Sequence, residues 1–428
     1  MGRVLVRFVA LGSVVAALVA CGSGSISDGT QAGSDSGATV DAGGDVATSD
    51  GSPTKDSAAP GDARADSTAS TDAKKDDGVE ASPPSDAGSD SPIDSGSAKD
   101  SGAPTGLLVG YYATWTRTTM PPSTIPWSKL THVAHAFVLP ASTGGLQDVA
   151  GYVDAELIAD AHANGVKVVA SVGGAGANFD GNTSATNRAK TVAALADLCS
   201  TYGYDGIDID WEFPDATTAS SWKALITELR TALDAIDPSL TISAAVASDA
   251  YNGDALPSDG LLALSWIGVM TYDYAGSWSS TSGYCSPLYP SKGGDGGSVS
   301  DSMDYYLVTR AMPADKVLLG LPFYGAEFGA SAIDSTPIAP ASAPDYRDVV
   351  PMMGTAGWTT AWDDAAKVPY LHRSASPGFL SYDDATSIGD KCTYAKSRSV
   401  HGAIIWHLAG DRLSDGTDPL LDAAQPCR

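Results

Sequence analysis

The chain has 428 residues, with 51 acidic against 25 basic residues and a formal net charge of −26. So acidic a chain lacks the cationic surface that binds a phosphate backbone, which argues against nucleic acid as a partner. Hydrophobic residues make up 43% and charged residues 18%. This balance is typical of a globular exported domain joined to a disordered part.

Residues 1–20 have the organisation of an export signal. Arg3 and Arg7 precede an apolar run over residues 9–20, which is short for a membrane span. The run ends Leu18-Val-Ala-Cys21, which resembles the bacterial lipobox. The resemblance implies cleavage before Cys21, diacylation of its thiol, and a protein anchored at the cell envelope or surface, or released from it. An ordinary secretory signal cut nearby is the alternative.

Residues 21–105 are dominated by Asp, Ser, Ala and Gly. They include sixteen acidic and five basic residues but no Phe, Tyr or Trp. Such a segment buries too little apolar surface to offset chain entropy, so we predict a disordered tether. The missing aromatics argue against a carbohydrate-binding module in it.

From residue 106 onward, short β-branched runs alternate with helical patterns. Several runs are apolar on both faces, which is typical of buried parallel strands. The predicted strands are Leu107–Thr114, His132–Leu139, Val166–Gly174, Tyr204–Phe213, Leu240–Ala247, Trp266–Tyr274, Lys316–Gly325 and Gly402–Asp411. The predicted helices include Asp154–Asn164, Asn187–Tyr202, Ala219–Ile236 and Ser300–Met312. This count predicts a (β/α)₈ TIM barrel over residues 106–428. A doubly wound open sheet is less favoured, because no Gly-rich phosphate loop follows the first strand.

The segment of about residues 328–380 is too long for one βα loop. It contains several aromatic residues and strand-like pieces of its own. We predict a small α+β insertion after the seventh strand that forms one wall of a groove.

Four cysteines follow Cys21, and four cysteines allow three pairings. Cys392 and Cys427 fall on the last two predicted helices and are the preferred disulfide pair in an oxidising compartment. Buried free thiols are the alternative for Cys199 and Cys285.

The sharpest motif is Asp205-Gly-Ile-Asp208-Ile-Asp210-Trp-Glu212, on the fourth predicted strand. Alternate strand residues share a face, so Asp208, Asp210 and Glu212 are predicted to point together into the barrel. Like charges at this spacing cannot all ionise, so at least one pKa must rise. Glu212 is the outermost, at the end where barrel active sites lie, and a raised pKa there suits a general acid. A metal site or a hydrated polar ladder is the alternative.

This motif resembles the strand-four signature of glycoside hydrolase family 18, the chitinases and their relatives. Further segments resemble that family in the same order: Ser171-Val-Gly173-Gly174, Met270-Thr-Tyr272-Asp273-Tyr274, Gly276-Ser-Trp278, Pro287-Leu-Tyr289, Leu321-Pro-Phe-Tyr324-Gly325, Gly357-Trp358, Ser381-Tyr382-Asp383-Asp384 and Ile405-Trp406. The insertion resembles that of the bacterial deep-groove subgroup.

The resemblance implies a retaining, substrate-assisted mechanism with no cofactor, an exception to the usual two-carboxylate scheme. Glu212 would protonate the glycosidic oxygen, and the substrate's own acetamido oxygen would attack the anomeric carbon. Asp210 would hold the acetamido N–H, and Asp208 would share a proton or hydrogen bond with Asp210. Tyr272 would bind the acetamido oxygen.

The resemblance also implies substrate-binding residues. Trp406 would form the floor beneath the sugar, with ordinary barrel core as the alternative. Asp273 would contact substrate, with a structural hydrogen bond as its alternative. Asp205 has the opposite strand parity to Asp208, so we assign it a structural or supporting role. Gly173 and Gly174 would let the backbone pass close to the strand-four carboxylates. Met270 is a further expected substrate contact. The remaining substrate-binding candidates are Tyr111, Phe137, Trp115 and Trp278, and plain packing is the alternative for each of them.

Two features depart from the family pattern. Ala326 and Glu327 stand where an Arg often follows the strand-seven motif, and His135 stands where an aromatic is usual on strand two. His132 and His135 are three residues apart on a strand, hence on opposite faces, so packing is favoured over metal binding and no metal site is predicted.

The expected substrate is chitin or a chito-oligosaccharide, cleaved at β-1,4-N-acetylglucosamine linkages by a monomer that touches membrane only through its lipid. An endo-β-N-acetylglucosaminidase acting on glycans and a non-catalytic chitin-binding lectin are the alternatives. The insertion favours the chitinase, because a deep groove suits a linear polymer.

Overall fold

The computed structural model describes residues 106–355 and 357–428. The predicted signal peptide, Cys21 and the linker lie outside the described residues. The strands are β1 Leu107–Ala113, β2 His132–Val138, β3 Lys167–Gly173, β4 Gly206–Asp210, β5 Thr241–Val246, β6 Trp266–Val269, β7 Val317–Pro322, β8 Ala326–Phe328, β9 Thr359–Asp363, β10 Val368–Arg373, β11 Gly378–Ser381 and β12 Gly402–Trp406.

The helices lie mainly between the barrel strands. They are α1 Val149–Tyr152, α2 Ala155–Ala163, α3 Asp180–Thr183, α4 Arg188–Tyr202, α5 Ala219–Asp234, α6 Ala250–Gly253, α7 Ser258–Leu262, α8 Val299–Asp304, α9 Tyr346–Val349, α10 Ala385–Ser397 and α11 Pro419–Ala423. The predicted helix Ser300–Met312 is wrong in its second half, where a π-helical turn Tyr305–Thr309 follows α8.

Eight parallel strands close into a barrel in the order β1-β12-β7-β6-β5-β4-β3-β2, which confirms the predicted (β/α)₈ fold. One apolar cluster fills the space between strands and helices, and a second occupies the lumen and continues into the insertion. On α5, the buried residues Trp222, Leu225, Ile226, Leu229 and Leu233 follow the helical period, so the sequence pattern places this helix against the strands.

The insertion after β7 is a four-stranded antiparallel sheet in the order β8-β11-β10-β9. The chain returns to the barrel through α10, whose first turn is held by a capping box. The Asp384 side chain accepts from the Ser387 backbone N–H, and the Ser387 hydroxyl accepts from the Asp384 N–H. The insertion thus leads directly into the last helix before β12.

The two ends of the described chain meet at the edge where the barrel strands begin. A Cβ on Gly106 would lie 2.7 Å from the carbonyl carbon of Arg428, and the Arg428 side chain bonds to the Ser128 carbonyl. A disulfide joins Cys392 to Cys427, which confirms the preferred pairing. Cys199 and Cys285 are buried free thiols.

The described residues contain no helix long and apolar enough to cross a bilayer.

Candidate active site

Asp208 and Asp210 point into the barrel from β4, while Ile207 and Ile209 are fully buried among the helices. The predicted alternation therefore holds for this pair. Glu212 lies two residues beyond the end of β4, because the chain leaves the barrel sheet at Trp211. The Trp211 ring stacks on Phe179 with 4.7 Å between the ring centroids. The predicted strand Tyr204–Phe213 is too long, so strand parity alone does not orient Glu212.

Asp208 is the innermost carboxylate and is saturated with hydrogen bonds. Its Oδ2 accepts from the Tyr111 hydroxyl at 2.9 Å and the Ser171 hydroxyl at 2.8 Å. Its Oδ1 accepts from the Ser243 hydroxyl at 2.7 Å. Burial raises the pKa of Asp208 even though these three donors oppose the rise.

Asp210 is almost as buried, but its Oδ1 has no hydrogen-bond partner among the described residues. Burial, together with the charges of Glu212 and Asp208, raises the pKa of Asp210 well above its ordinary value. The backbone beside it is held close by glycines. A Cβ on Gly173 would lie 2.0 Å from the Asp210 carbonyl oxygen, and the Gly174 N–H donates to that oxygen at 2.9 Å. The predicted role of these glycines is confirmed.

Glu212 is half-buried, and its pKa is raised to about 7, first by desolvation and then by the charge of Asp273. At neutral pH the carboxyl is therefore divided between its acid and base forms. A single group of this kind can donate a proton in one step and accept one in the next.

Tyr272 and Asp273 lie on the segment after β6, which ends at Val269 rather than at the predicted Tyr274. Tyr272 is buried, and burial together with the neighbouring carboxylates raises its pKa well above the ordinary value, so the phenol remains a donor. Asp273 has a left-handed backbone, with φ of 60°. Its Oδ1 accepts from the Tyr324 hydroxyl at 2.7 Å and from the Cys285 thiol at 3.8 Å.

Aromatic rings gather around Trp406 at the end of β12. The Trp406 ring lies 5.4 Å from Phe137, 5.7 Å from Tyr111 and 6.3 Å from Trp115. Trp406 and Phe137 are half-buried, whereas Trp115 and Trp278 are each 61% exposed. Tyr111 is buried, with its hydroxyl committed to Asp208, which favours a supporting role over a subsite role.

A cavity of about 360 Å³ opens beside these rings. Trp115, Asp273, Trp278, Tyr324 and Trp406 line it, and the insertion side supplies Ala341, Ser342, Ala343 and Asp345. Glu212, Asp210, Tyr272 and Met270 are not among the lining residues. Asp273 connects the two regions, because it lines the cavity and its charge acts on Glu212.

Several site residues escaped the sequence analysis. Ser171 and Ser243 lie opposite Asp208 in the strand register, and their signal was a small polar residue within an apolar run. Ser171 and Tyr324 were noted only as parts of motifs, with no role assigned to them. The imidazole of His407 lines the cavity with its Nε2 3.5 Å from the Asp345 carboxylate, and no hydrogen bond reaches its buried Nδ1 within the described chain. No signal beyond its place after Trp406 pointed to it.

The other predicted residues have structural roles. Asp205 accepts from the Val168 N–H at 2.7 Å and contacts His162 at 2.8 Å, consistent with a supporting residue. His135 bonds to the Tyr204 hydroxyl, and His132 packs edge-on against Trp266, which confirms the packing interpretation. Residues 106–355 and 357–428 contain no group of His, Cys, Asp or Glu side chains able to hold a metal ion.

A family model for glycosyl hydrolases family 18 matches residues 107–411. The chain belongs to glycosyl hydrolases family 18. Within the family, it is 31% identical over 286 residues to Chitinase A1 of Niallia circulans, an alignment that covers 58% of this chain and 41% of the relative. The chain thus spans about two fifths of that enzyme. It is 27% identical over 341 residues to Endochitinase 1 of Metarhizium robertsii, covering 70% of this chain and 79% of the relative.

Solved structures of the family share the fold. A family 18 N-acetylglucosaminidase from Paenibacillus barengoltzii matches with a TM-score of 0.68 at 24% identity, covering 76% of this chain and all of that one. A chitinase from Rhizomucor miehei matches with a TM-score of 0.64 at 25% identity, covering 75% of this chain and all of that one.

Proposed function

We propose that this chain is a retaining chitinase that hydrolyses β-1,4-N-acetylglucosamine linkages by substrate-assisted catalysis. The observation that carries the proposal is the Glu212 carboxyl, with a pKa of about 7, set after a strand whose Asp210 keeps an unpaired carboxylate oxygen. Asp208 already accepts three hydrogen bonds and has no need of substrate. The three carboxyls therefore differ in what each can do.

In the first step, protonated Glu212 donates its proton to the glycosidic oxygen as the bond from that oxygen to C1 breaks. The acetamido carbonyl oxygen of the same sugar forms a bond to C1 from the opposite face and gives an oxazolinium ion. The free Oδ1 of Asp210 accepts from the acetamido N–H, and the Tyr272 phenol donates to the acetamido oxygen. Binding this neighbouring group in the attacking position gives it a high effective concentration.

In the second step, the Glu212 carboxylate takes a proton from water, and the water oxygen attacks C1 as the oxazolinium ring opens. Two inversions leave the product in the β-configuration. Asp208 keeps its three hydrogen bonds through both steps, and its negative charge helps to keep the pKa of Asp210 above the ordinary value.

Two features support a polymer of N-acetylglucosamine as the substrate. The cavity walls carry exposed Trp115 and Trp278 and half-buried Trp406, and aromatic faces pack well on sugar C–H surfaces. The relatives named above include two chitinases. Incubation with chitotetraose and, separately, with a high-mannose glycoprotein distinguishes this substrate from an N-glycan.

The decisive variant is Glu212→Gln, which keeps the size of the side chain and removes the transferable proton. We expect the release of chito-oligosaccharides to fall by about 10²- to 10⁴-fold while binding is retained. The matched control is Glu327→Gln, because Glu327 lies on β8 and pairs with Arg373, away from the ladder. NMR of the first product should give the β-anomer. Full activity in Glu212→Gln, full loss in Glu327→Gln, or an α-anomeric first product would contradict the mechanism.

The sequence alone supports a further part of the proposal, namely export and lipidation at Cys21. Mass spectrometry of the membrane-extracted protein should find a mature N-terminus at Cys21 with an added diacylglycerol. Cys21→Ser should release the protein from the membrane fraction. An unmodified N-terminus at another residue would contradict the lipid anchor. The expected monomeric state is a separate prediction, which size-exclusion chromatography tests.

A further inference from the structure

The described chain contains a completely buried ion pair away from the carboxylate ladder. Lys391 on α10 is 0% exposed, and its ammonium lies 2.7 Å from both carboxylate oxygens of Asp383. The third donor of the ammonium goes to the Ser286 hydroxyl, also at 2.7 Å. A buried pair is costly to desolvate and is retained only where every donor and acceptor is satisfied.

Ser286 carries this network to the segment after β6. Its hydroxyl accepts from Lys391 and donates to the Thr271 carbonyl at 2.6 Å. Thr271 is the residue immediately before Tyr272, and its own side chain bonds to the Gly320 carbonyl on β7 at 2.6 Å. The peptide that leads into Tyr272 is therefore fixed from two sides.

The neighbouring Cys285 fixes the other end of the same segment. Its N–H donates to the Ser381 hydroxyl at 2.9 Å, and its carbonyl accepts from the Tyr274 N–H at 3.0 Å. Its thiol reaches Asp273 at 3.8 Å. Residues 271–274 are thus held against residues 285–286, which in turn rest on the end of the insertion and on α10.

We propose that the Lys391–Asp383 pair and Ser286 form a positioning unit that fixes Tyr272 and Asp273 against the strand-four carboxylates. The proposal rests on the proposed function, because it concerns the placement of groups in that reaction. The physical reason is that the ion pair fixes which group donates and which accepts in each hydrogen bond of Ser286. With all three ammonium donors occupied, the Ser286 hydroxyl must accept from Lys391, and its single proton is left to the Thr271 carbonyl. The ion pair therefore sets the direction of the bond that holds the catalytic segment.

The test compares two serines bonded to the same ion pair. Ser286→Ala removes the link to Thr271. Ser387→Ala removes the hydroxyl that donates to Asp383 at 2.6 Å from the other side. Among the described residues, the Ser387 side chain makes its hydrogen bonds only to Asp383 and Asp384, and none to the segment after β6. The readouts are kcat, KM, the alkaline limb of the pH–rate profile and the Tm.

We expect Ser286→Ala to lower kcat by about 10- to 100-fold, the penalty of a small misplacement, with little change in KM. Its alkaline limb should move to lower pH as Asp273 withdraws from Glu212. Ser387→Ala should lower the Tm at least as much as Ser286→Ala does, because it also breaks the capping box. Its kcat should stay within about twofold of the wild-type value. Ser286→Thr keeps the hydroxyl and should recover most of the kcat.

Equal kcat losses in the two alanine variants, or an unchanged kcat and alkaline limb in Ser286→Ala, would show that the network only stabilises the fold. Failure of the proposed function gives a different result, namely no hydrolysis of chitotetraose by the wild type or full activity in Glu212→Gln. The two failures are therefore separable.

Discussion

The charge of Asp273 is one of the two causes that raise the pKa of Glu212 to about 7, so its removal should be visible in the pH–rate profile. Asp273→Asn is the cleanest perturbation, because Tyr324 and Cys285 both donate to Oδ1, an oxygen that asparagine keeps. The change removes the negative charge with little change in shape. In the proposed mechanism Glu212 acts as the acid only while it is protonated, so a lower pKa of Glu212 moves the alkaline limb of the profile to lower pH.

The size of the movement follows from the two causes. The pKa of Glu212 rises from 4.5 to about 7, with desolvation the larger cause and Asp273 the smaller. Asp273 then accounts for less than half of a rise of about 2.5 pH units, and we expect the alkaline limb to fall by about 0.5 to 1 pH unit. The part of the pKa rise that comes from desolvation should remain, because the burial of Glu212 is unchanged.

The assay is kcat/KM on a chromogenic chito-oligosaccharide from pH 4 to pH 9 at constant ionic strength. The matched control is Asp345→Asn, which removes a carboxylate from the same cavity. Although burial alone would raise it, His407 and Arg347 hold the pKa of Asp345 below its ordinary value, and Asp345 is not a cause of the Glu212 rise. An alkaline limb that stays in place in Asp273→Asn, or moves as far in Asp345→Asn, would refute the reasoning.

Three further predictions address the ladder, the fold and the groove. Tyr111→Phe removes one of three donors to Asp208 and should cost about 1 kcal/mol in urea unfolding; an unchanged midpoint would contradict this. Replacing Cys392 and Cys427 with Ser opens a link between residues 35 apart and should cost about 3–4 kcal/mol, whereas a Tm equal to that of the oxidised wild type would argue against it. Trp278→Ala should raise KM for chitin oligomers about 3- to 10-fold with little loss of kcat, measured by initial rates.

The barrel was predictable because burial on both faces of a parallel strand leaves a continuous apolar run in the sequence. The residues at which the strands end were harder to predict. The pattern predicts strands over Tyr204–Phe213 and Trp266–Tyr274, but the observed strands end at Asp210 and Val269. At the carboxyl edge the chain leaves the barrel sheet after each strand, and after β6 it turns to place Asp273 at the cavity. The composition there does not change, so hydrophobic pattern cannot detect the turn.

The carboxyl motif was visible because it is local. Its hydrogen-bond partners come from other strands, and a sequence reports a partner only when the register between strands is known. Ser171 and Ser243 meet Asp208 through that register, and Lys391 meets Ser286 across 105 residues. What the pattern of one segment predicts is a set of chemical groups; the state of ionisation of each group is set by neighbours from elsewhere in the chain.

The meeting of Gly106 with Arg428 has a practical consequence. Both residues lie where the barrel strands begin, whereas Trp115, Tyr324 and His407 line the cavity just past the points where three of those strands finish. An affinity tag or a solid support coupled at position 428 would therefore lie at the opposite end of the barrel and leave the cavity accessible to the proposed polymeric substrate. Joining 428 to 106 through a short peptide would also produce a circularly permuted chain, whose new ends could be placed in an exposed loop away from the cavity.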